Sequence, residues 1–373
     1  MKHTHLTILV AGLTFASPCQ ALEPLKDSSE LYNVILAKRT LASLDKNKDG
    51  FIQEEEDSRG WKKKVRYDAN KDGSLDFDEL KSIPQSYIDS PGKQLRNVMF
   101  KRSETGEVFF DFYFPDVDDS SKKPVVIYTH GGGWAVGSKH GAAVASFKAV
   151  HKELLKNGFC VLSVDYRLVK KDGKTAMRDC VIDAQDALRF ISAYHKELGI
   201  DPTRIFTFGD SAGGHLAQMV LLAPSDSIKG DPDLVKYDYK TVAGVSWYGP
   251  CDFQDEQLFN HNDREGFRDR FGPRILGANS KPEDKAALYR EMSPVNYLTK
   301  NSPPLLMIQG DKDTTIPVKQ AYRMQEALKT TDAPVEILIV KNAGHNWRPV
   351  DGVVTPNRNE IIKQTVEFIT KHK

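Results

Sequence analysis

Ile205-Phe206-Thr207-Phe208-Gly209-Asp210-Ser211-Ala212-Gly213-Gly214 is the stretch whose reading decides the fold. A short apolar, β-prone run ends in Gly-x-Ser-x-Gly, and residues 215–221 then read as a helix, which is the strand, sharp turn and helix of a nucleophile elbow. The chain must reverse so tightly at Ser211 that side chains at 209 and 213 would collide with neighbouring backbone, hence glycine at both. The turn lifts Ser211 Oγ clear of the sheet. It also sets the N–H of Ala212 at a helix N-terminus, where free donors and the helix dipole favour an oxyanion. A five-residue Gly/Ser pattern also occurs in ordinary turns, so the reading rests on what accompanies it.

Upstream, the apolar run 124–129 suits a strand covered on both faces and ends in His130-Gly131-Gly132-Gly133-Trp134. Three glycines allow backbone N–H groups to approach a ligand with no side chain between; taken alone, they also describe a flexible loop. Downstream, 305–310 runs into Asp311-Lys312-Asp313, and 335–340 leads to Ala343-Gly344-His345. A serine nucleophile needs a base to take its proton, and the base needs a carboxylate to fix its tautomer. His345, in a Gly-His loop after the last predicted strand, is the candidate base, and Asp313 the candidate acid, with Asp311 its rival. His130 is assigned to positioning the glycine loop and His215 to packing.

Around these points strand and helix alternate. Strands are predicted at 98–102 and 108–114 (a hairpin), 159–166, 204–208, 242–248, 304–309 and 335–340, and helices at 142–156, 177–198, 322–328 and 361–370. Such alternation demands crossovers, and so a mostly parallel central sheet flanked by helices, with ligands at the carboxyl ends of its strands.

The order Ser211, Asp313, His345 is that of α/β-hydrolases. Residues 95–373 resemble an α/β-hydrolase esterase of the group carrying an HGGGW oxyanion loop, related to hormone-sensitive-lipase-like enzymes. They are most similar to its acetyl and feruloyl esterase branch and to kynurenine formamidases. The likeness is carried by 130–134, Val164-Asp165-Tyr166-Arg167-Leu168, 209–214 and Gly344-His345. It implies an α/β-hydrolase fold and an oxyanion hole formed by the N–H groups of Gly132, Gly133 and Ala212. It also implies structural roles for Asp165 and Arg167, and catalysis without a cofactor. One departure concerns the acid: lipase-like members often have Asp-Pro, whereas this chain has Asp313-Thr314-Thr315, closer to peptidase-like and carbohydrate-esterase members.

Residues 22–84 have a different character, that of a small α-helical module. Asp45, Asn47, Asp49, Phe51, Gln53 and Glu56 occupy the ligand positions of an EF-hand loop, as do Asp68, Asn70, Asp72, Ser74, Asp76 and Glu79, with Gly50 and Gly73 at the turn. Two Ca²⁺ sites of structural character are expected, with Ile52 and Leu75 pairing the loops. Only 57–67 separates them, so the hands are expected to share one short helix. A dockerin reading, with a cohesin-like partner, is disfavoured because dockerin loops usually end in Asp and lie farther apart.

The remaining bounds are coarser. Residues 1–21, with a basic start, an apolar run at 6–16 too short to span a bilayer, and small residues at Cys19 and Ala21, read as a signal peptide cleaved after Ala21, placing the protein in the periplasm or outside the cell. Residues 85–94 read as a linker and 95–373 as the catalytic domain. With 52 basic and 51 acidic residues the net charge is +1, so no global field points to nucleic acid or anionic membrane. Cys160, Cys180 and Cys251 can form at most one disulfide. Between 252 and 274, where such hydrolases insert a cap, ten of 23 residues are charged, with Phe253, Phe259, Phe267 and Phe271 among them. A lipase lid would present a wide apolar face, so short acyl groups on a polar alcohol are expected. The expected activity is an exported serine esterase acting on short acetyl- or feruloyl-type esters of small molecules or polysaccharides. The alternatives are a peptidase or amidase on the same fold, and a calcium-dependent interaction protein on an inactive hydrolase scaffold.

Overall fold

A computed structural model of the chain describes residues 22–117 and 121–373; the signal peptide expected over 1–21 lies outside them. The N-terminal module consists of α1 (Ser29–Leu44), α2 (Trp61–Lys64), which a 3-10 turn continues over Val65–Tyr67, and α3 (Phe77–Ser82). Asp76 caps α3 by accepting from the Glu79 N–H (2.8 Å), and Glu79 reaches back to the Asp76 N–H (3.1 Å). Ile52 and Leu75 exchange backbone hydrogen bonds of 3.0 and 2.9 Å, which joins the two loops. Both are fully buried with Ala37, Trp61 and Leu80, so the module has a core of its own.

The second unit is one eight-stranded sheet. In chain order it runs β1 (Gln94–Ser103), β2 (Gly106–Tyr113), β3 (Lys123–Thr129), α4 (Ala145–Lys156), β4 (Cys160–Val164), α5 (Met177–Ala193), α6 (His195–Leu198), β5 (Ile200–Asp210), α7 (Ala212–Leu222), β6 (Thr241–Trp247), α8 (Lys285–Glu291), β7 (Leu305–Gly310), α9 (Lys319–Thr331), β8 (Val335–Val340) and α10 (Arg358–Lys371). Strand order is β1-β2-β4-β3-β5-β6-β7-β8. The β1 and β2 pairings are antiparallel and the rest parallel.

Because successive side chains leave a strand on opposite faces, each central strand feeds two cores. Val126, Phe206, Phe208 and Val245 pack with α4 and α10 residues on one face, while Val125, Ile127 and Ile205 meet Ala184, Leu188 and Ile191 of α5 on the other. Each such fully buried side chain contributes about 1.5–3 kcal/mol of transfer free energy, which fixes the strands whose ends carry the site. The apolar runs at 124–129 and 204–208 are continuous because both their faces are covered. β5 starts earlier than expected, at Ile200, because Ile200 pairs with Lys123 and the carbonyl of Pro202 accepts from Lys240 (2.8 Å).

The module is docked on the sheet edge. Asp27 bridges to Val98, and Tyr32 of α1 is buried edge-on against Phe109, with ring centroids 5.0 Å apart. Beneath it lies Lys139, fully buried, with its Nζ 3.0 Å from Asp111, 2.5 Å from Asn97 Oδ1 and 4.1 Å from the Tyr32 ring centroid. A buried ammonium is tolerable only when paired and hydrogen-bonded in this way. Residues 85–93 run along the sheet: Ile88 belongs to its core, and the Ser86 carbonyl meets His140 Nδ1 at 2.9 Å. Cys160, Cys180 and Cys251 are free, buried thiols. No helix among the described residues is long and apolar enough to cross a membrane.

Candidate active site

The ends of β5, β7 and β8 bring three side chains together. At the turn between β5 and α7, Ser211 takes φ 53° and ψ −120°, a conformation costing of order 1–3 kcal/mol that the surrounding structure must enforce. Its N–H is tied to the Trp247 carbonyl (2.8 Å) and its carbonyl accepts from His215 (3.0 Å). Glycine is obligatory on both sides: a Cβ at 213 would run into the Thr129 carbonyl, and one at 209 into that of Gly213.

His345 Nε2 lies 3.1 Å from Ser211 Oγ, and His345 Nδ1 lies 2.7 Å from Asp313 Oδ2. Since ionised Asp313 can only accept, Nδ1 carries the proton and Nε2 is left to accept from the serine hydroxyl. Asp313 is fixed in turn: Oδ1 accepts from Thr315 N (2.7 Å) and Ile316 N (2.9 Å), and Oδ2 also accepts from Gln309 Nε2 (3.3 Å). The rival, Asp311, turns away and accepts from the Ala343 N–H (3.4 Å), so the structure brings Asp313 and not Asp311 to the histidine.

Gly132, Gly133, Ser211, His345, Asn346 and Thr315 line one cavity of about 350 Å³ together with Asp210, Arg270, Phe271 and Arg274. A wider depression of about 770 Å³, bordered by Glu104, Lys174 and Leu288, contains none of the three triad residues. The N–H groups of Gly132, Gly133 and Ala212 find no acceptor among the described residues, and all three flank the serine. Gly132 has φ +125°, and a Cβ there would meet the Val136 carbonyl. Trp134 is buried under the cap segment with Phe253, Phe259 and Phe271, and its indole N–H donates to His215 Nδ1 (3.2 Å). His215 Nε2–H then donates to the Met292 carbonyl (2.8 Å), and burial pushes its pKa down to about 4, so it is a neutral packing residue. His130 stacks on Tyr166 (4.2 Å between centroids) and bonds the Gly131 carbonyl through Nδ1 (2.8 Å), which positions the glycine loop. Asp165 accepts from the Lys139 N–H (2.7 Å), and Arg167 grips Asp183 with two bonds of 2.8 and 2.9 Å; neither reaches the cavity.

One organising residue escaped the sequence reading. Asp210, the middle letter of Gly-Asp-Ser, accepts through Oδ1 from Tyr128 OH and from Gly131 N–H, both at 2.9 Å, and so anchors the oxyanion loop to the elbow. Burial pushes its carboxyl up to about 6. Its position beside the nucleophile was the available signal. Arg270 and Arg274 gave no such signal, because which side of the cap faces the serine is a tertiary matter.

The calcium loops repeat one bonding scheme. Asp45 Oδ2 accepts from Gly50 N and Asp68 Oδ2 from Gly73 N, both at 3.0 Å, while Glu56 Oε1 accepts from Lys46 N (2.6 Å) and Glu79 Oε1 from Ala69 N (2.7 Å). Asn47 and Asn70 accept from Asp49 N and Asp72 N, both at 2.9 Å. At the first ligand position of each loop the other carboxylate oxygen, Asp45 Oδ1 and Asp68 Oδ1, is buried without a partner. A buried, unsatisfied carboxylate oxygen is what a cation would satisfy, so the donor set fits Ca²⁺. Among the described residues no three acidic, imidazole or thiol groups already converge as a metal cluster, so the ion would have to draw Asp45, Asp49 and Glu56, or Asp68, Asp72, Asp76 and Glu79, together. Bound there, it would neutralise the crowded carboxylates and brace the loops.

A family model described as BD-FAE matches residues 110–328, a stretch that holds the elbow, the cap and Asp313. The chain belongs to the BD-FAE family. An EF hand model matches 36–56 and 66–84, which contain both calcium loops, 45–56 and 68–79, in full. Among relatives, the esterase LipC of Mycobacterium tuberculosis is 30% identical over 233 residues, 62% of this chain and 55% of its own length. The probable carboxylic ester hydrolase LipM of the same organism is 29% identical over 218 residues, 58% and 47% respectively. The BD-FAE chain thus spans about half the length of the curated relatives it matches. Among solved structures, a truncated carbohydrate esterase from gut microbiota superposes with a TM-score of 0.59 at 22% identity, covering 78% of this chain and 99% of that one. The apo form of Thermogutta terrifontis esterase 2 gives 0.58 at 20% identity, covering 76% and 96%. At these identities the likeness establishes the fold, an α/β-hydrolase.

Proposed function

We propose that the protein is an exported serine esterase that hydrolyses short acyl esters, acetyl or feruloyl, of carbohydrate alcohols. The observation that carries the chemistry is the unbroken chain Ser211 Oγ to His345 Nε2 (3.1 Å) to Asp313 (2.7 Å), opening on a cavity flanked by free N–H donors. Ser211 attacks the ester carbonyl while His345 Nε2 takes its proton, and Asp313 stabilises the imidazolium at Nδ1. The N–H groups of Gly132, Gly133 and Ala212 receive the oxyanion; removing one such donor typically costs about 10²–10³-fold in kcat. His345 then gives its proton to the leaving alcohol, and a water activated by the same histidine clears the acyl-enzyme.

The substrate class is supported by the cap. Phe253 and Phe259 are buried inward against Trp134, Phe271 alone of these aromatic residues also lines the cavity, and the rest of the lining carries polar residues, Arg270, Thr315 and Asn346 among them. A wide apolar platform for long chains is therefore missing from the cavity lining, and a solved carbohydrate esterase shares the fold. Export is supported by the leader-like run at 1–21, and calcium at about millimolar outside the cell would fill even weak loops of 10⁻⁴ to 10⁻³ M affinity. The test is a panel of soluble acetyl, butyryl and feruloyl esters, emulsified long-chain esters and aminoacyl amides. Acetyl or feruloyl esters should give the highest kcat/KM; faster turnover of long-chain esters or of amides would overturn the assignment. N-terminal sequencing of exported protein should begin at Leu22.

A further inference from the structure

The charge inside the active-site cavity is one-sided. Of its lining residues, Arg270 and Arg274 are cationic, and the one carboxylate, Asp210, is committed behind the loop to Tyr128 OH and Gly131 N–H. Both guanidinium groups stand over the ring of Phe271, at 4.7 and 5.4 Å from its centroid, and Phe271 is held in the cap core. Arg274 donates through Nη1 to the Gly133 carbonyl, so it touches a residue whose own N–H belongs to the oxyanion hole. Arg178 and Arg189, elsewhere, each meet a carboxylate, at 3.0 and 2.7 Å. Asp269, which could have served this purpose beside Arg270, instead turns its oxygens to the N–H groups of Phe271 (2.8 Å) and Gly272 (2.7 Å). Two like charges side by side, one half-buried, repel each other and lose hydration: burial and Arg270 lower the proton affinity of Arg274, and the nearby Asp269 carboxylate offsets this only in part. A planar oxyanion brought by a ligand relieves both costs, and arginine's fork matches a carboxylate bidentately.

We propose that Arg270 and Arg274 form an anion subsite beside the oxyanion hole, so that the preferred substrates are esters bearing a carboxylate a short distance from the scissile carbonyl. This deepens the esterase reading above and rests on it. The carboxylate does not react; it anchors the substrate while Ser211 attacks. It can belong to the acyl part, as in a half-ester of a dicarboxylic acid, or to the alcohol part, as in the acetyl ester of an acidic sugar.

Two matched pairs separate these sources. On the acyl side, mono-p-nitrophenyl succinate is compared with p-nitrophenyl butyrate; on the alcohol side, 4-acetoxybenzoate with its methyl ester. In at least one pair the charged member should have a kcat/KM higher by about tenfold, the factor a 1.4 kcal/mol ion pair supplies, and the preference should sit mainly in KM. It should shrink as salt rises from about 20 mM to about 0.5 M. Arg270→Gln with Arg274→Gln should bring the ratio close to one, and the Lys counterparts should restore part of it. If Arg274 only staples the cap to the glycine loop, the substitutions lower both members alike and leave the ratio unchanged, which overturns the proposal. A ratio of one or less in both pairs for the unaltered protein also overturns it. Turnover of the neutral esters in that event leaves the esterase reading standing, whereas no turnover of any of the four would remove that reading and the subsite with it.

Discussion

Ser211, Asp313 and His345 come from loops that follow three strands of one sheet, and each is already bonded to the next; Asp45 and Asp68 open two loops in which one buried oxygen apiece has no partner. In the first region the core holds the strand ends, and the strained turn at Ser211 is locked by the Trp247 and His215 backbone. In the second, one long helix and two short ones enclose five core side chains, and the loops are held by their own side-chain-to-backbone bonds. The difference teaches where preorganisation comes from. The catalytic groups are already in contact in the folded chain, while the calcium loops keep an unsatisfied oxygen that a bound ion would complete.

The largest effect should come from breaking the first region. Ser211→Ala should lower turnover of p-nitrophenyl acetate by more than about a hundredfold with an unchanged melting temperature. Residual activity above about one hundredth of the unaltered rate would show that another nucleophile operates. Asp313→Asn should approach the loss at serine, because it favours the wrong imidazole tautomer, while Asp311→Asn should cost less than about tenfold.

Next is the joint between the regions. Tyr32 is 1% exposed and covers Lys139, and truncating so large a buried ring should cost about 3–5 kcal/mol in stability. Tyr32→Ala should therefore lower the melting temperature by several degrees. Comparable loss from Tyr67→Ala, in the module's far part, would mean that the joint is no stronger than the module itself.

A pH measurement sharpens the first side. Asp210 has its folded-state pKa raised by burial from 3.8 to about 6, so between those values the folded state holds the extra proton. Stability from this group is therefore greatest below about pH 4, falls as pH rises through the window, and is lost in full above it, a cost of order 2–3 kcal/mol. Asp210→Asn keeps an acceptor for Gly131 and Tyr128 but cannot ionise. Its melting temperature relative to the unaltered protein should climb between pH 4 and 6 and then level off. A difference independent of pH would place the carboxyl in a solvated setting.

The parts of this molecule legible in the sequence are those written in local pattern. The elbow announces itself because only glycine fits at 209 and 213, the central strands because two covered faces demand unbroken apolar runs, and the calcium loops because each ligand position has its own residue type. The acid assignment was legible as a choice of two, since a tight turn turns one aspartate toward His345 and the other toward Ala343. What stayed hidden is what only packing decides: that Lys139 is buried beneath Tyr32 from another unit, that Asp210 faces the glycine loop, and that the cap's aromatic residues point inward and two of its arginines toward the serine. Charge counts in 252–274 are the same whichever way the segment is turned.

The smallest effect should be that of calcium on turnover, and the reason is distance along α1. The contacts that dock the module on the sheet lie at Asp27, just before that helix, and along its first half, at Tyr32 with Leu31, Ile35 and Leu36, whereas Asp45 opens the first calcium loop at its far end. At 1.5 Å per residue the thirteen positions from Tyr32 to Asp45 span about 20 Å. Lys139, which continues from the oxyanion loop, is held chiefly by Asp111 and Asn97 of the sheet, so opening the loops leaves its ion pair in place. Chelation should lower the melting temperature or protease resistance of 22–84, since a ligand that binds only the folded form stabilises it by mass action. Turnover of a small soluble ester should change less than about twofold while the sheet stays folded, because the triad lies wholly beyond residue 200 and needs no ion. The strain between Asp45, Asp49 and Glu56 would then be released locally, as fraying of the loops and of the last turn of α1, without reaching Tyr32. Loss of activity on chelation, recovered with calcium and reproduced by Glu56→Gln with Glu79→Gln, would show instead that α1 transmits the state of the loops to the sheet and that the module regulates the site.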